Sequence, residues 1–293
     1  MSMTNRVKIG LVAGWGDYPA VVATALRREG FTVVGLGITE HADPSLADLC
    51  DEFTWVGLAR MGKAIRFMQR TGVREATFVG KVHKVRLFQK GAWRKYWPDW
   101  QTVRMLWPIF IARHKDRRDD TLLRAIADGL ARAGIRLAPA TDYAPELLVK
   151  YGQLTRRGPS AAQRQDIEFG WRLAKELGRL DIGQSVAVKN RSPLALEAIE
   201  GTDECIRRAG SLCPTGGFTV VKVAKPQQDM RFDVPTIGPD TLETMAAAGA
   251  KLLAVEAGRT ILIDEPRCIA LAERHGIIIV ALNADGQLAT EAA

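Results

Sequence analysis

Residues 7–38 read VKIGLVAGWGDYPAVVATALRREGFTVVGLGI. The first seven, VKIGLVA, form a short apolar run that stops at Gly14-Trp15-Gly16. Apolar positions then recur at helical spacing in PAVVATALRREG, and FTVVGLGI returns to a buried-strand pattern. Strand, glycine turn, helix, strand is the opening unit of a doubly wound α/β domain. The alternation continues outward. GKAIRFMQRTG reads as helix and EATFVG as strand; DDTLLRAIADGLARAG reads as an amphipathic helix and IRLAPA as a short strand.

Near residues 141–162 the texture changes to TDYAPELLVKYGQLTRRGPSAA, whose prolines, glycines and basic pairs mark a domain boundary. A second α/β region follows. QRQDIEFGWRLAKELGRL is read as helix, SVAVKN as strand, LEAIEGTDECIRRAG as an acidic helix and FTVVKVA as strand. PDTLETMAAAGA is helix, KLLAVEA and TILID are strands, PRCIALAERHG is helix and IIIVALN a final strand. The expectation is two α/β domains, 1–150 and 151–293, which suits a chain of 293 residues.

Composition narrows the function classes. A hydrophobic content of 47% and a charged content of 25% describe an ordinary globular protein. The formal net charge of +8 argues for an anionic partner: nucleic acid, a phosphorylated metabolite or a membrane surface. The four cysteines form no C-x-x-C pair and read as buried thiols. The four histidines lack zincin spacing, which argues against a histidine zinc site. No signal peptide is read at the start, and no apolar stretch approaches the roughly 18 residues of a spanning helix.

Three constellations bear chemistry. Gly14-x-Gly16 can let backbone N–H groups approach a phosphate at a helix N-terminus, or it can be a plain tight turn. Pro19 stands where G-x-G-x-x-G needs its third glycine, and no acid ends the second strand to hold a ribose, which argues against NAD. The segment 81–118 interleaves basic residues with Phe88, Trp93, Tyr96, Trp97, Trp100 and Trp107. It reads as a packed insertion, a membrane-interface element or a nucleic-acid surface, the last lacking any base-reading motif. Third, Gly201-Thr202-Asp203 and KPQQDMRFDVPTIG (225–238) place hydroxyls, lysines and acids around turns. Lysines there can neutralise phosphate oxygens, and a nearby aspartate can orient water or hold a metal. Asp119 and Asp120 are candidate metal ligands or a helix cap.

Several blocks together resemble a known family: GLVAGWGDYP (10–19), DDTLLRAI (119–126), GRLDIGQ (178–184), ALEAIEGTD (195–203), VKVAKPQQDMRFDVPTIG (221–238) and EAGRTILID (256–264). In this order the set resembles UDP-2,3-diacylglucosamine pyrophosphatases of the LpxI type, over nearly the whole chain. The resemblance implies a cytoplasmic enzyme of lipid A synthesis acting on a diacylated UDP-sugar, with placement at the inner face of the cytoplasmic membrane left open. It implies hydrolysis to UMP and 2,3-diacylglucosamine 1-phosphate with a divalent metal, usually Mg²⁺. A non-catalytic nucleotide- or lipid-binding module of the same fold is the alternative. The implied fold is an N-terminal Rossmann-like domain plus a distinct C-terminal α/β domain, with the ligand cleft between them. No nucleic-acid partner is expected, the basic, tryptophan-bearing segment would supply peripheral contact with anionic membrane for a diacylated substrate, and a homodimer is left open.

Matched motif by motif, Asp233 becomes the catalytic acid or metal ligand, with Asp119 and Asp120 as further metal ligands. Lys222 and Lys225 would hold phosphate, and Gly14, Gly16, Thr202, Thr236 and Gly238 would bind substrate. Asp229 is read as a solvated neighbour of Asp233. Trp15 and Lys81 depart from the family's usual residues in their turns.

Overall fold

The two apolar runs of the opening stretch are parallel neighbours in the computed structural model of the protein, which describes residues 6–82, 97–111, 119–232 and 234–288. Strand β1 (Lys8–Ala13) pairs with β2 (Thr32–Ile38) on one side and with β4 (Glu75–Val79) on the other, both parallel. Nearly every residue of β1 and β2 is buried, as expected of strands covered on both faces. With β3 (Glu52–Val56) and β5 (Arg136–Leu137) they make a five-stranded sheet in the order β3-β2-β1-β4-β5. All its pairings are parallel.

Four described helices belong to this unit: α1 (Tyr18–Arg28), α2 (Met61–Thr71), α3 (Trp100–Ile111) and α4 (Asp119–Arg132). Helix α1 starts with proline in its first turn and ends on Arg27 and Arg28, which suit the negative end of its dipole. Helix α2 buries Ala64, Ile65 and Met68 and turns its basic residues outward. Of the basic aromatic segment, residues 83–96 and 112–118 lie outside the described residues, including Phe88, Trp93 and Tyr96. Its middle is helix α3, where Thr102 and Met105 are buried and Trp100 and Trp107 exposed.

The chain divides into two units, Met1–Pro145 with Asp229–Phe232, and Glu146–Gln228 with Asp233–Ala293. In the first unit Phe232 packs on the core, its ring 5.8 Å from that of Phe78. Asp229 is not merely solvated: it pairs with Arg231 at 2.6 Å.

The second unit centres on a six-stranded sheet in the order β6-β13-β11-β9-β7-β8. Here β6 is Gly152–Gln153, β7 Ser185–Lys189, β8 Ser192–Leu196, β9 Thr219–Lys222, β11 Leu252–Glu256 and β13 Ile278–Leu282. Strands β9, β11 and β13 run parallel, whereas β6, β7 and β8 pair antiparallel with their neighbours. Short β10 (Thr236–Ile237) and β12 (Ile261–Leu262) form a separate parallel pair.

Side-chain parity sorts the two faces. Val221, Leu252 and Ala254 pack with Trp171 and Ala174 of α5 (Ala161–Arg179). Val220, Leu253 and Val255 pack with residues of α6 (Thr202–Leu212), α7 (Pro239–Ala248) and α8 (Glu265–His275). Ser160 and Gln163 close a reciprocal capping box at the start of α5. The stretch expected as one acidic helix, 196–210, is corrected: Leu196 ends strand β8 and the helix begins only at Thr202. Gly201, at φ 85°, holds a left-handed conformation that a continuing helix cannot accommodate.

Candidate active site

Strand β9 stops being apolar at its last residue. Val220 faces α6 and α7, so the two-residue period sends Lys222 to that side as well. Lys222 is buried, 6% exposed. Its Nζ donates to Thr202 Oγ1 at 2.9 Å and to the Thr236 carbonyl at 3.0 Å. Thr202, the first residue of α6, donates in turn to Glu197 Oε1 at 3.0 Å. Its hydroxyl also lies 3.4 Å from that of Ser185, the β7 residue in register with Lys222. Glu197 is buried and accepts the Gln184 backbone N–H at 3.4 Å. A buried ammonium and a buried carboxylate are thus joined through one hydroxyl, each offsetting the desolvation of the other.

The side-chain carbonyl of Gln184 is buried with no hydrogen-bond partner among the described residues. Lys225, three residues beyond the end of β9, pairs with Asp181 at 2.6 Å, and its backbone N–H is accepted by Gln228 Oε1. Thr236 lies on β10 and donates its hydroxyl to the Val234 carbonyl at 2.8 Å. Gly238 caps α7 with φ −135°, and an added Cβ would meet only Ile263 Cβ, at 4.0 Å. The fold therefore does not itself require glycine at that position.

A second charge pair, with its carboxylate buried and its lysine half-buried, sits on the opposite face of the sheet. Glu256 ends β11 with parity toward α5, where Lys175 meets its Oε2 at 2.7 Å. The same oxygen accepts the Ala224 N–H at 2.8 Å, and Lys175 also donates to the Ala224 carbonyl. Glu256 is 1% exposed, and the Lys175 ammonium lies 5.2 Å from the Trp171 ring. This pair pins the backbone that leads from β9 into Lys225. Sequence reasoning names Glu197 only as one acid of a run with Glu200 and Asp203, and singles out neither Glu256 nor Lys175. The available signal was parity: Glu256 is the lone charge closing the apolar run LLAVE.

Of the residues expected to bind, Lys222, Thr202 and Thr236 meet in one hydrogen-bonded cluster. Gly14 and Gly16 belong to the first unit. The Gly14 N–H is donated to the Val79 carbonyl and the Trp15 N–H to that of Lys81. A Cβ on Gly14 would lie 2.6 Å from the Lys81 oxygen, so glycine here permits close approach of two turns. Asp119 and Asp120 open α4, but their side chains lie outside those described, and Asp233 itself lies outside the described residues. Among the described residues no three His, Cys, Asp or Glu side chains converge as metal ligands.

All four cysteines are free. Burial, with Glu197 nearby, pushes the Cys205 thiol up to about 12, and burial, with Asp264 nearby, does the same to Cys268. Both remain protonated near neutral pH and are poorly suited to nucleophilic attack.

Comparison with known proteins gives the same frame. Residues 8–147 match the LpxI N-terminal domain and residues 150–280 the LpxI C-terminal domain. The chain is also 30% identical over 285 residues to the UDP-2,3-diacylglucosamine pyrophosphatase LpxI of Caulobacter vibrioides, covering 94% of this chain and 98% of that protein. With a relative matched along almost its entire length and both halves of the chain matched in order, the protein belongs to the LpxI family.

Proposed function

We propose that the protein hydrolyses the pyrophosphate of UDP-2,3-diacylglucosamine, releasing UMP and 2,3-diacylglucosamine 1-phosphate, as a step of lipid A synthesis. The observation that carries this reading is the buried Lys222, held by Thr202 and Thr236 within the family's motifs. A pyrophosphate diester resists water because its own charge repels nucleophiles. Lys222 and Lys225 offset that charge at its oxygens, and Glu197 keeps Thr202 oriented toward Lys222. Asp233 orients the water and takes its proton as oxygen bonds to the phosphorus on the glucosamine side. The P–O bond to the bridging oxygen breaks and UMP leaves with that oxygen. The parallel order β3-β2-β1-β4-β5 supports a Rossmann-like role for the first unit in holding the nucleotide.

The donor set bears on the metal. Mg²⁺ takes one or two carboxylates and completes its shell with water and substrate phosphates, so it needs no cage of three acids. Asp233, with Asp119 and Asp120, would hold the ion, which when bound would neutralise phosphate charge.

The test is UMP release from UDP-2,3-diacylglucosamine with and without EDTA, in the natural protein and in Asp233→Ala. Turnover that stops in the variant, with its circular dichroism unchanged, supports the reading. Full activity in Asp233→Ala sinks the site assignment, and ligand binding without turnover in the natural protein favours a non-catalytic module.

A further inference from the structure

Arg60, the N-cap of α2, and Lys63, Arg66 and Arg70 within it recur at spacings of three and four and are all exposed. The first three line a cavity of about 500 Å³ at the carboxyl ends of β2 and β3, together with Trp55. Among the described residues none of these three cations is in an ion pair, unlike Lys8, Lys175, Arg136, Arg207, Lys225 and Arg231. Glu40 and Asp99 also line the cavity, but the Asp99 oxygens accept from the N–H of Gly62 and from the N–H and hydroxyl of Thr102. That carboxylate is spent on the starts of α2 and α3. The Lys63 ammonium donates to the Trp55 carbonyl at 2.8 Å.

Asp99 also joins the cavity to a second surface. Trp100 follows it and is 80% exposed; Arg104 and Trp107, four and seven residues on, share its helix face. Trp107 is 56% exposed while Thr102 and Met105 on the other face are buried. Of the five exposed tryptophans among the described residues, Trp55, Trp97, Trp100 and Trp107 lie in this region.

We propose that the Arg60–Lys63–Arg66 cavity, flanked by Trp100 and Trp107, is a headgroup site for the phosphate of anionic phospholipid, by which the first unit docks on a membrane surface. A free phosphate would satisfy the cations but leave the indoles in water. A lipid surface satisfies both, since tryptophan settles at headgroup depth and basic stripes seat on anionic lipid. No described helix is long and apolar enough to cross a membrane.

The test is flotation of the full chain with phosphatidylcholine vesicles, with or without phosphatidylglycerol, needing no turnover and so independent of the hydrolase reading. Binding is expected only with phosphatidylglycerol, falling with salt. Lys63→Glu with Arg66→Glu lowers it roughly tenfold or more. Trp100→Ala with Trp107→Ala also lowers it. Lys251→Glu on the second unit, which makes the same charge change as Lys63→Glu alone, leaves it unchanged. Circular dichroism checks the fold, and Arg66→Gln serves if the double reversal misfolds. Three outcomes overturn the proposal: Lys63 and Arg66 variants that float like the natural protein; inorganic phosphate that abolishes flotation at unchanged ionic strength while the tryptophan variants float normally; or equal binding to a single-stranded oligonucleotide, lost with the same variants.

Discussion

Lys222 is a costly residue to bury, and a methionine of similar length would fill its place without a charge. Lys222→Met removes the ammonium but leaves Glu197 its bonds from Thr202 and the Gln184 amide. We expect a stability loss of about 1–3 kcal/mol and a fall in UMP release of roughly a hundredfold or more. Melting curves and turnover measured together separate the two roles, since equal melting loss with full activity would make Lys222 structural. Gly238→Ala is the complementary probe. Its φ and surroundings admit a methyl, so melting should shift within about 0.5 kcal/mol while KM rises if substrate lies against that backbone. Glu256→Ala leaves the half-buried Lys175 ammonium and the Ala224 N–H without their carboxylate and should cost about 1–3 kcal/mol, whereas Lys175→Met with Glu256→Leu should recover part of it. Denaturant titration of the single and double variants measures the coupling. At this scale the sequence reveals Lys222 and Thr202 through their motifs. It shows Glu197 only as one of a cluster of acids and hides Glu256, because burial of a carboxylate is decided by strand parity and by partners far along the chain.

The junction of α2 with α3 rests on Asp99 and Thr102. Asp99 accepts from the Gly62 N–H at 2.8 Å and the Thr102 N–H at 2.9 Å, and the Thr102 hydroxyl accepts the Met61 N–H. Burial alone would raise the Asp99 carboxyl, but bonds from Thr102, Gly62 and Lys63 together hold it below the usual range. Glu75 is held low by Tyr143 and Arg136, and Asp229 by Arg231. A depressed carboxyl stabilises the fold above its unfolded pKa and loses that contribution as pH falls through its folded value. The first unit should therefore weaken below about pH 4. Asp99→Asn should flatten that acid limb and cost about 1 kcal/mol near neutrality, read by melting against pH. Elements with continuous apolar runs, such as β1, β2 and β9, are legible in sequence. Strand β3 is not, because EFTWV is an edge strand whose residues are mostly half-buried. Helix α3 is masked by its own tryptophans, which point outward where the helical pattern expects polar residues.

Over the whole molecule, residues 225–238 change unit twice: up to Gln228 they belong to the second unit, from Asp229 to Phe232 to the first, and from Asp233 to the second again. No local pattern marks four residues as part of a core laid down about 150 positions earlier, so a boundary drawn from composition cannot contain them. Phe232→Ala should lower the stability of the first unit by about 1–3 kcal/mol, less than a fully buried phenylalanine, and calorimetry should show the loss in that unit's transition. There is a consequence for synthesis. As the ribosome extends the chain, the first unit emerges without the aromatic ring that completes its packing against Phe78. That contact becomes available to the first unit only once most of the second unit has been translated.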